Sequence, residues 1–231
     1  MIKALTLLLT SSIALAELDV PQFNNTICPA YWELQDAEKM KAFDINKFVG
    51  GTYYELAFHD RTQYPTCAKV SCVRSVKNWV PDVGDGKQQI LDSFTLGCFG
   101  HPYTYPLYFN VTENNGFFNG FVKDPPWWWK IFEPGSFYPD TVVDYQVNPE
   151  TGEYDWVIEF QCRQGERLGK PHVDFVGINY YAKKKVMTDE EYDAYIAAGV
   201  ARGLGFYQNE GFGLTKLDQS HCEYEDEVTD N

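Results

Sequence analysis

The stretch that narrows the choice of fold is residues 43–55, Phe-Asp-Ile-Asn-Lys-Phe-Val-Gly-Gly-Thr-Tyr-Tyr-Glu. It runs from a polar segment through a glycine pair into an aromatic run, and from Gly51 onward the apolar residues recur mostly at every second position. That period is typical of β-strands with one buried face. Because side chains alternate along a strand, Tyr53 and Glu55 are predicted to share one face.

Strand patterns continue outward from this stretch along the chain. Turn-forming residues, among them those at 81–86 and the Asn-Gly pair at 115–116, separate the strands. The predicted strands are residues 52–58, 70–80, 88–96, 105–111, 117–122, 127–132, 141–147, 154–160 and 173–182. About nine short strands with no helix between them predict an all-β antiparallel sandwich or closed barrel.

One helix is predicted, and it comes late in the chain. Thr188 and Glu191 have the spacing of a capping box, in which each side chain accepts a hydrogen bond from the other residue's backbone amide. Gly203 is a suitable terminator for this helix. The residues at helical spacing between these signals are Tyr192, Tyr195, Ile196 and Gly199.

The first sixteen residues have the pattern of a secretory signal peptide. Lys3 gives a positive start, residues 4–13 are an apolar run too short to span a bilayer, and Ala14-Leu15-Ala16 supplies small residues for cleavage. We expect a signal peptide at 1–16, an N-terminal arm at 17–42, a single domain at 43–222 and an acidic tail at 223–231. The expected location is secreted and extracellular, with the lumen of the secretory route or of an organelle as the alternative.

Composition and charge exclude some classes of function. Of the 231 residues, 44% are hydrophobic and 16% aromatic, which favours a folded domain over disorder. The 19 basic and 33 acidic residues give a net charge of −14. Such a surface repels a phosphate backbone, so we expect no nucleic-acid partner.

Six cysteines follow the predicted signal peptide, an even number that favours disulfides over a metal site in an oxidising compartment. They are Cys28, Cys67, Cys72, Cys98, Cys162 and Cys222. Fifteen pairings are open to six cysteines, and their spacing does not choose among them. Sequons at Asn24 and Asn110 predict glycosylation. No metal site and no cofactor are expected.

The stretch at 43–55 resembles the opening motif of lipocalins, a short turn followed by a Gly-x-Trp-Tyr-Glu strand, with Tyr53 in place of Trp. Val143-Asp144-Tyr145 is similar to the second lipocalin motif, Thr-Asp-Tyr, and Lys183 or Lys184 stands where the family has a third-motif Arg. The resemblance implies an eight-stranded antiparallel barrel, with room for a ninth strand, and one C-terminal helix. It assigns the closed base of the barrel to Gly51, Tyr53, Asp144, Tyr145 and Lys183.

A narrower resemblance is to the apolipoprotein D and bacterial lipocalin branch. The segments that resemble this branch are Ile27-Cys28-Pro29, Phe160-Gln161-Cys162, the residues at 172–175 and those at 218–222. This resemblance implies the disulfides Cys28–Cys162 and Cys67–Cys222, which leaves Cys72 with Cys98.

Another relative of similar sequence is violaxanthin de-epoxidase, which the segments at 115–118 and 155–158 resemble. It implies a carotenoid substrate and a carboxyl group acting as acid in the barrel. The residue before Cys67 is Thr66, where that enzyme has an acidic residue, and no nucleophile elbow or ligand-like histidine spacing occurs. We therefore expect no enzyme, with this activity as the alternative.

The barrel interior is the expected binding site for one small hydrophobic ligand. The resemblance implies a mouth formed by the loops at 59–66, 97–104, 133–139 and 163–170. The predicted ligand contacts are Glu55, Trp127 and Trp129 on the wall and Tyr64, Phe99, Tyr103, Phe137 and Tyr138 at the rim. Core filling by the tryptophans, and an internal hydrogen bond for Glu55, are equally open.

Three functions follow from these observations. The first is a carrier of a fatty acid, sterol or pigment, the second an enzyme acting on a carotenoid or related lipid, and the third a surface or defence protein that binds another protein by its rim. The first agrees best with the sequence.

Overall fold

The computed structural model describes residues 27–60, 70–98, 101–123, 137–209 and 213–224. The predicted strand at 127–132 and the predicted signal peptide lie outside these ranges. No helix in the described ranges is long and apolar enough to cross a membrane.

Eight long antiparallel strands close into a barrel. The order is β2-β3-β4-β5-β6-β7-β8-β1, and an additional pairing of β1 with β2 closes the ring. The strands are β1 (Thr52–Asp60), β2 (Val70–Trp79), β3 (Gln89–Cys98), β4 (His101–Val111), β5 (Phe117–Val122), β6 (Phe137–Val147), β7 (Tyr154–Arg167) and β8 (Lys170–Ala182). A two-residue strand, β9 (Thr215–Lys216), pairs with Ala57 and Phe58 of β1. The predicted all-β barrel is confirmed.

Two predicted mouth loops are wrong, because strand pairing extends through them. Cys98 pairs with His101, so most of the segment at 97–104 lies in β3 and β4. Arg167 pairs with Lys170, so the segment at 163–170 is a hairpin rather than a loop. Only Leu168 and Gly169 remain in its turn, both at positive φ. Cross-strand hydrogen bonding overrides the weak local preference of these polar and glycine-containing segments for a loop conformation.

Three short helices precede β1 and pack at one end of the barrel. They are α1 (Tyr31–Leu34), α2 (Ala37–Met40) and α3 (Ile45–Phe48). Asp36 caps α2 by accepting hydrogen bonds from the amides of Glu38 and Lys39. Leu34, Met40 and Phe48 are buried. The part of the predicted N-terminal arm that the structure describes is therefore packed helical turns.

The late helix is α4 (Asp189–Ala201), and a short helix, α5 (Gly205–Gln208), follows it. Both hydrogen bonds of the predicted capping box between Thr188 and Glu191 are present. Tyr195 is buried against the outer face of the barrel, where its hydroxyl donates to the carbonyl oxygens of Val157 and Tyr181 at 2.9 and 2.7 Å. Gly203 has the positive φ of a helix terminator.

The disulfides confirm one predicted pairing and correct the others. Cys28 is bonded to Cys162, as the resemblance implies. Cys222 is bonded to Cys72, so the predicted Cys67–Cys222 and Cys72–Cys98 pairings are both wrong. Cys72 lies at a β-bulge with φ of 52°, where the register of β2 against β3 shifts. The bulge places Cys72 on the outer face of β2, where it bonds to Cys222 of the C-terminal segment. No strand pattern in the sequence predicts this contact.

A C-terminal strap, residues 215–224, covers the seam between β1 and β2. Those two strands pair through only three residue pairs, the last being Tyr54 with Arg74. Beyond that pair, the buried Gln219 amide donates to the carbonyl oxygens of Glu55 and Val73, each at 2.7 Å. Tyr224 is also buried, with its ring 4.2 Å from the Arg74 guanidinium carbon. The beginning of the predicted tail is therefore part of the strap.

Candidate ligand site in the barrel

The base of the barrel lies at Tyr53, which is fully buried. The Lys183 ammonium lies 4.2 Å from the centre of the Tyr53 ring, a cation–π contact that distinguishes it from Lys184, which pairs with Glu191 on the surface. A Cβ at Gly51 would collide with both Lys183 and Tyr53. Burial lowers the pKa of Lys183. These three residues pack together where β1 begins and β8 ends, and the closed base that the lipocalin resemblance assigns to them stays a prediction.

Asp144 and Tyr145, the other predicted base residues, tie the helices to the barrel. Asp144 accepts hydrogen bonds from Lys39, from Arg202 Nε at 2.9 Å and from the Tyr145 amide at 2.8 Å. The Tyr145 hydroxyl donates to the Lys39 carbonyl oxygen at 2.7 Å. Their contacts are structural.

Above the base, side chains from neighbouring strands form two inward-facing rows. The strand register defines the Glu159 row, which consists of Val142, Glu159, Asn179 and Phe58. One step further from the base is the Asp140 row, which consists of Asp140, Gln161, Gly177 and Asp60. All eight positions in the two rows are buried. Five of them are polar, and the other three are Val142, Phe58 and Gly177.

Lys77 projects from β2 into the Glu159 row, where it is 1% exposed. Its Nζ lies 2.7 Å from Asp92 Oδ2 and 3.1 Å from Glu159 Oε1, and Ser75 Oγ donates to both Asp92 oxygens at 2.8 Å. Three aromatic rings surround the ammonium, with centres at 4.9, 5.4 and 5.3 Å: Phe48, Phe109 and Tyr181. We call this arrangement the Lys77 cage.

The electrostatics of the cage favour a charged lysine. Burial by itself lowers the pKa of Lys77, but the carboxylates of Asp92 and Glu159 raise it above its ordinary value. Burial raises the pKa of Glu159, and the neighbouring Lys77 ammonium opposes that change. The cage is therefore a buried ion network whose members depend on one another.

Asp140 is 1% exposed and only half satisfied. Its Oδ2 accepts a hydrogen bond from Gln161 Nε2 at 3.2 Å, while its Oδ1 has no partner among the described residues. Burial, together with the nearby Glu159 carboxylate, raises the pKa of Asp140 well above its usual range. An acceptor oxygen with no donor, inside a barrel, is a position that a bound molecule can satisfy.

Glu55 is fully buried on the same side of β1 as Tyr53. With the Asn179 amide oriented to satisfy its neighbours, its nitrogen donates to Glu55 Oε1 at 3.1 Å. Glu55 therefore lies in the interior, as both roles considered for it require, and its internal hydrogen bond to Asn179 is present. Its role toward a ligand stays a prediction.

Several predicted site residues cannot be placed by their side chains. Trp127, Trp129, Tyr64, Phe99 and the sequon residue Asn24 lie outside the described residues, and of Tyr103, Phe137 and Tyr138 the structure describes the backbone, within β4 and β6. Asn110 is half-buried, and its side-chain oxygen accepts from Gln89 Nε2 at 2.8 Å. In the described ranges, no three His, Cys, Asp or Glu side chains come together as a metal site.

The polar groups of the interior were missed by sequence reasoning. Lys77, Asp92, Asp140, Glu159 and Gln161 each occupy an inward position of a strand that otherwise alternates normally. A signal was present, because Lys77 follows Val73 and Ser75 at period two, and Asp92 lies between Ile90 and Phe94 at the same period. A charged residue in phase with the buried face marks a polar interior.

A closed eight-stranded antiparallel barrel with one C-terminal helix, closed at the base by a cation on an aromatic ring, is a lipocalin fold. Solved lipocalins of similar structure include lobster apocrustacyanin A1, with a TM-score of 0.53 and 12% sequence identity over 84% of this chain and 88% of that chain. Apocrustacyanin C1 has the same values, and apocrustacyanin C2 has a TM-score of 0.51 and 12% identity over 87% of this chain and 94% of that one. At this identity the likeness shows the fold alone.

No protein-family model matches the chain, and no curated protein matches it. The narrower resemblances to apolipoprotein D and to violaxanthin de-epoxidase therefore stay predictions.

Proposed function

We propose that this protein is a secreted carrier that binds one small hydrophobic molecule, such as a lipid, sterol or pigment, inside its barrel. The observation that carries the proposal is the closed lipocalin barrel, since an eight-stranded barrel encloses about the volume of one small ligand. Toward the end opposite Tyr53, the inward positions include the buried Phe94, Leu96 and Phe175. A ligand that buries on the order of 200 Å² of apolar surface there gains about 5 kcal/mol.

Secretion is supported by two features of the chain. The pattern at 1–16 is that of a signal peptide. The two described disulfides, Cys28–Cys162 and Cys72–Cys222, belong to a class of crosslink that persists in oxidising compartments.

Native mass spectrometry of protein from the source organism tests the proposal most directly, because a co-purified ligand would identify the class of molecule. With recombinant protein, we expect retinol to quench tryptophan emission along a saturable isotherm with a stoichiometry of about one. Trp127→Ala and Trp129→Ala should weaken retinol binding about tenfold if these side chains line the wall, because each removes apolar contact area.

Trp128→Ala is the matched control, since alternate residues of a strand face opposite ways. Unchanged affinity in both Trp127→Ala and Trp129→Ala would refute the wall assignment. If the wild-type protein binds none of the three ligands retinol, a fatty acid and a sterol, the carrier proposal is refuted.

One observation favours an enzyme as a second candidate. Asp140 and Glu159 are buried carboxyl groups whose pKa values burial raises, and a general acid needs this property. If the protein is a carrier, incubation with violaxanthin and ascorbate at mildly acidic pH should leave the pigment bound and unchanged. Chromatography that shows steady formation of a de-epoxidised product would instead establish the enzyme.

A further inference from the structure

The Asp140 row presents hydrogen-bond acceptors to the barrel interior. Asp140 Oδ1 has no partner among the described residues. Because the Gln161 nitrogen donates to Asp140, its carbonyl oxygen is turned the other way, toward Gly177. A Cβ at Gly177 would lie 3.2 Å from that oxygen and 3.4 Å from Asp60 Oδ2. The same Cβ would lie 3.0 Å from Phe175 Cζ, so the glycine lets the Phe175 ring and these two acceptor oxygens pack close to the β8 backbone.

The described interior also carries more carboxyl groups than basic groups. Its inward carboxyl groups are Glu55, Asp60, Asp92, Asp140 and Glu159, all buried. The basic residues at inward positions of the described strands are Lys77 in its cage and Arg163, two residues beyond Gln161 on β7. A ligand that brings a positive charge lowers the cost of this arrangement, and a ligand carboxylate raises it.

The Lys77 cage shows how this interior holds an ammonium. There, carboxylate oxygens at 2.7 and 3.1 Å and three aromatic faces at about 5 Å surround one Nζ. The Asp140 row offers the same kinds of partner one step higher, with acceptor oxygens on one side and the buried rings of Phe58 and Phe175 nearby along β1 and β8.

We propose that the molecule carried in the barrel is an organic amine, whose protonated nitrogen binds Asp140 Oδ1 while its apolar part lies among the aromatic side chains. This inference rests on the proposed carrier function and specifies its ligand class. A charge-assisted hydrogen bond to a buried carboxylate and contact with aromatic faces both select an ammonium over a neutral head group.

Binding of the amine is coupled to a proton. The pKa of Asp140 depends on its burial and on four neighbouring groups: Glu159, Lys77, Asp92 and the Gln161 amide. Burial and the Glu159 carboxylate raise this pKa, and together they outweigh the Lys77 ammonium and the Gln161 hydrogen bond, which lower it. The empty site therefore holds a proton on Asp140 below that pKa, and an incoming ammonium displaces it. Amine affinity should rise as the pH rises through the Asp140 pKa, up to about pH 10, where an alkylamine loses its own charge.

The test uses three probes with the same twelve-carbon chain: dodecylamine, dodecanol and dodecanoate. Isothermal titration calorimetry at pH 7 on the full oxidised protein should give an affinity for dodecylamine about tenfold or more above that for dodecanol. Dodecanoate should bind more weakly than dodecanol.

Asp140→Asn keeps the shape of the side chain and removes its charge. It should reduce dodecylamine affinity about tenfold, to the level of dodecanol, and leave dodecanol affinity unchanged. Asp193→Asn, at an exposed position of α4, is the matched control and should change neither affinity. Circular dichroism verifies that each variant is folded.

A measurement on the wild-type protein keeps the inference falsifiable even if Asp140→Asn does not fold. Titration of dodecylamine in two buffers of different ionisation enthalpy should show net release of protons, and titration of dodecanol should show none. Equal affinities for dodecylamine and dodecanol, or tighter binding of dodecanoate, would overturn the amine inference and leave the carrier function intact. No binding of any of the three, nor of retinol, would instead overturn the carrier function.

Discussion

Replacing Lys77 with methionine should lower the free energy of unfolding by about 3–5 kcal/mol, since the variant leaves buried carboxylates without their cation. Asp92 and Glu159 are each 2% exposed, and both contact the Lys77 ammonium. Methionine has a similar length and fits among the aromatic rings, so lost packing contributes little. Urea unfolding at pH 7, followed by tryptophan fluorescence, measures the change.

Lys87→Met is the matched control. The Lys87 side chain is 71% exposed, and its Nζ is 4.0 Å from Asp85, so its removal should cost about 0.5 kcal/mol or less.

The loss in Lys77→Met should also depend on pH. Without the ammonium, the pKa of Glu159 in the folded state rises further above that of the unfolded chain, because burial then acts unopposed. A carboxyl group with a raised folded-state pKa favours folding as the pH falls from that value toward the unfolded one. The destabilisation should therefore be smaller at pH 5 than at pH 7. Equal stability losses in the two lysine variants would contradict the cage.

Removal of the Cys72–Cys222 disulfide by the double change to serine should lower the free energy of unfolding by about 3–5 kcal/mol. The bond joins residues 150 positions apart, so reduction restores much entropy to the unfolded chain. Peptide mapping of the unreduced wild-type protein should recover Cys28 with Cys162 and Cys72 with Cys222, which leaves Cys67 and Cys98 for each other. A peptide that joins Cys67 to Cys222 would contradict the assignment.

Cys28–Cys162 provides the comparison, since it spans 134 positions and has nearly the same chain-entropy effect. It lies away from the seam between β1 and β2, whereas Cys72–Cys222 holds the strap over that seam. Both double variants should therefore lose similar stability. Retinol affinity should fall several-fold only in the variant that lacks Cys72–Cys222, and equal affinities in the two would show that the strap does not matter for binding.

The sequence predicts those parts of the fold that local chemistry determines. β5 has the predicted bounds, Phe117–Val122, because turn residues precede it and alternation marks its length. The capping box at Thr188 sets the start of α4 by hydrogen bonds within four residues. The choice between Lys183 and Lys184 as the counterpart of the third-motif Arg needed the structure, in which the Lys183 ammonium lies over the Tyr53 ring.

The parts that could not be predicted depend on partners distant in the chain. Lys77 is tolerated in the interior because β3 and β7 bring Asp92 and Glu159 to it. Cys72 meets Cys222 because a bulge in β2 and the course of the strap coincide. Strand alternation alone assigns none of these partners, so the candidate site, unlike the barrel, required the structure.

The two described disulfides lie near the two ends of the described range, 27–224, and attach both to the barrel. Cys28 ties the segment before the first helix to β7, and Cys222 ties the segment after β9 to β2. The described range cannot fray at Cys28 or at Cys222 while these bonds persist, although opening of a domain usually begins at its termini. Unfolding of the described domain must therefore start where two strands separate, at a point between the two crosslinked ends. An exopeptidase that trims the chain ends would stop at these two points and leave the barrel whole.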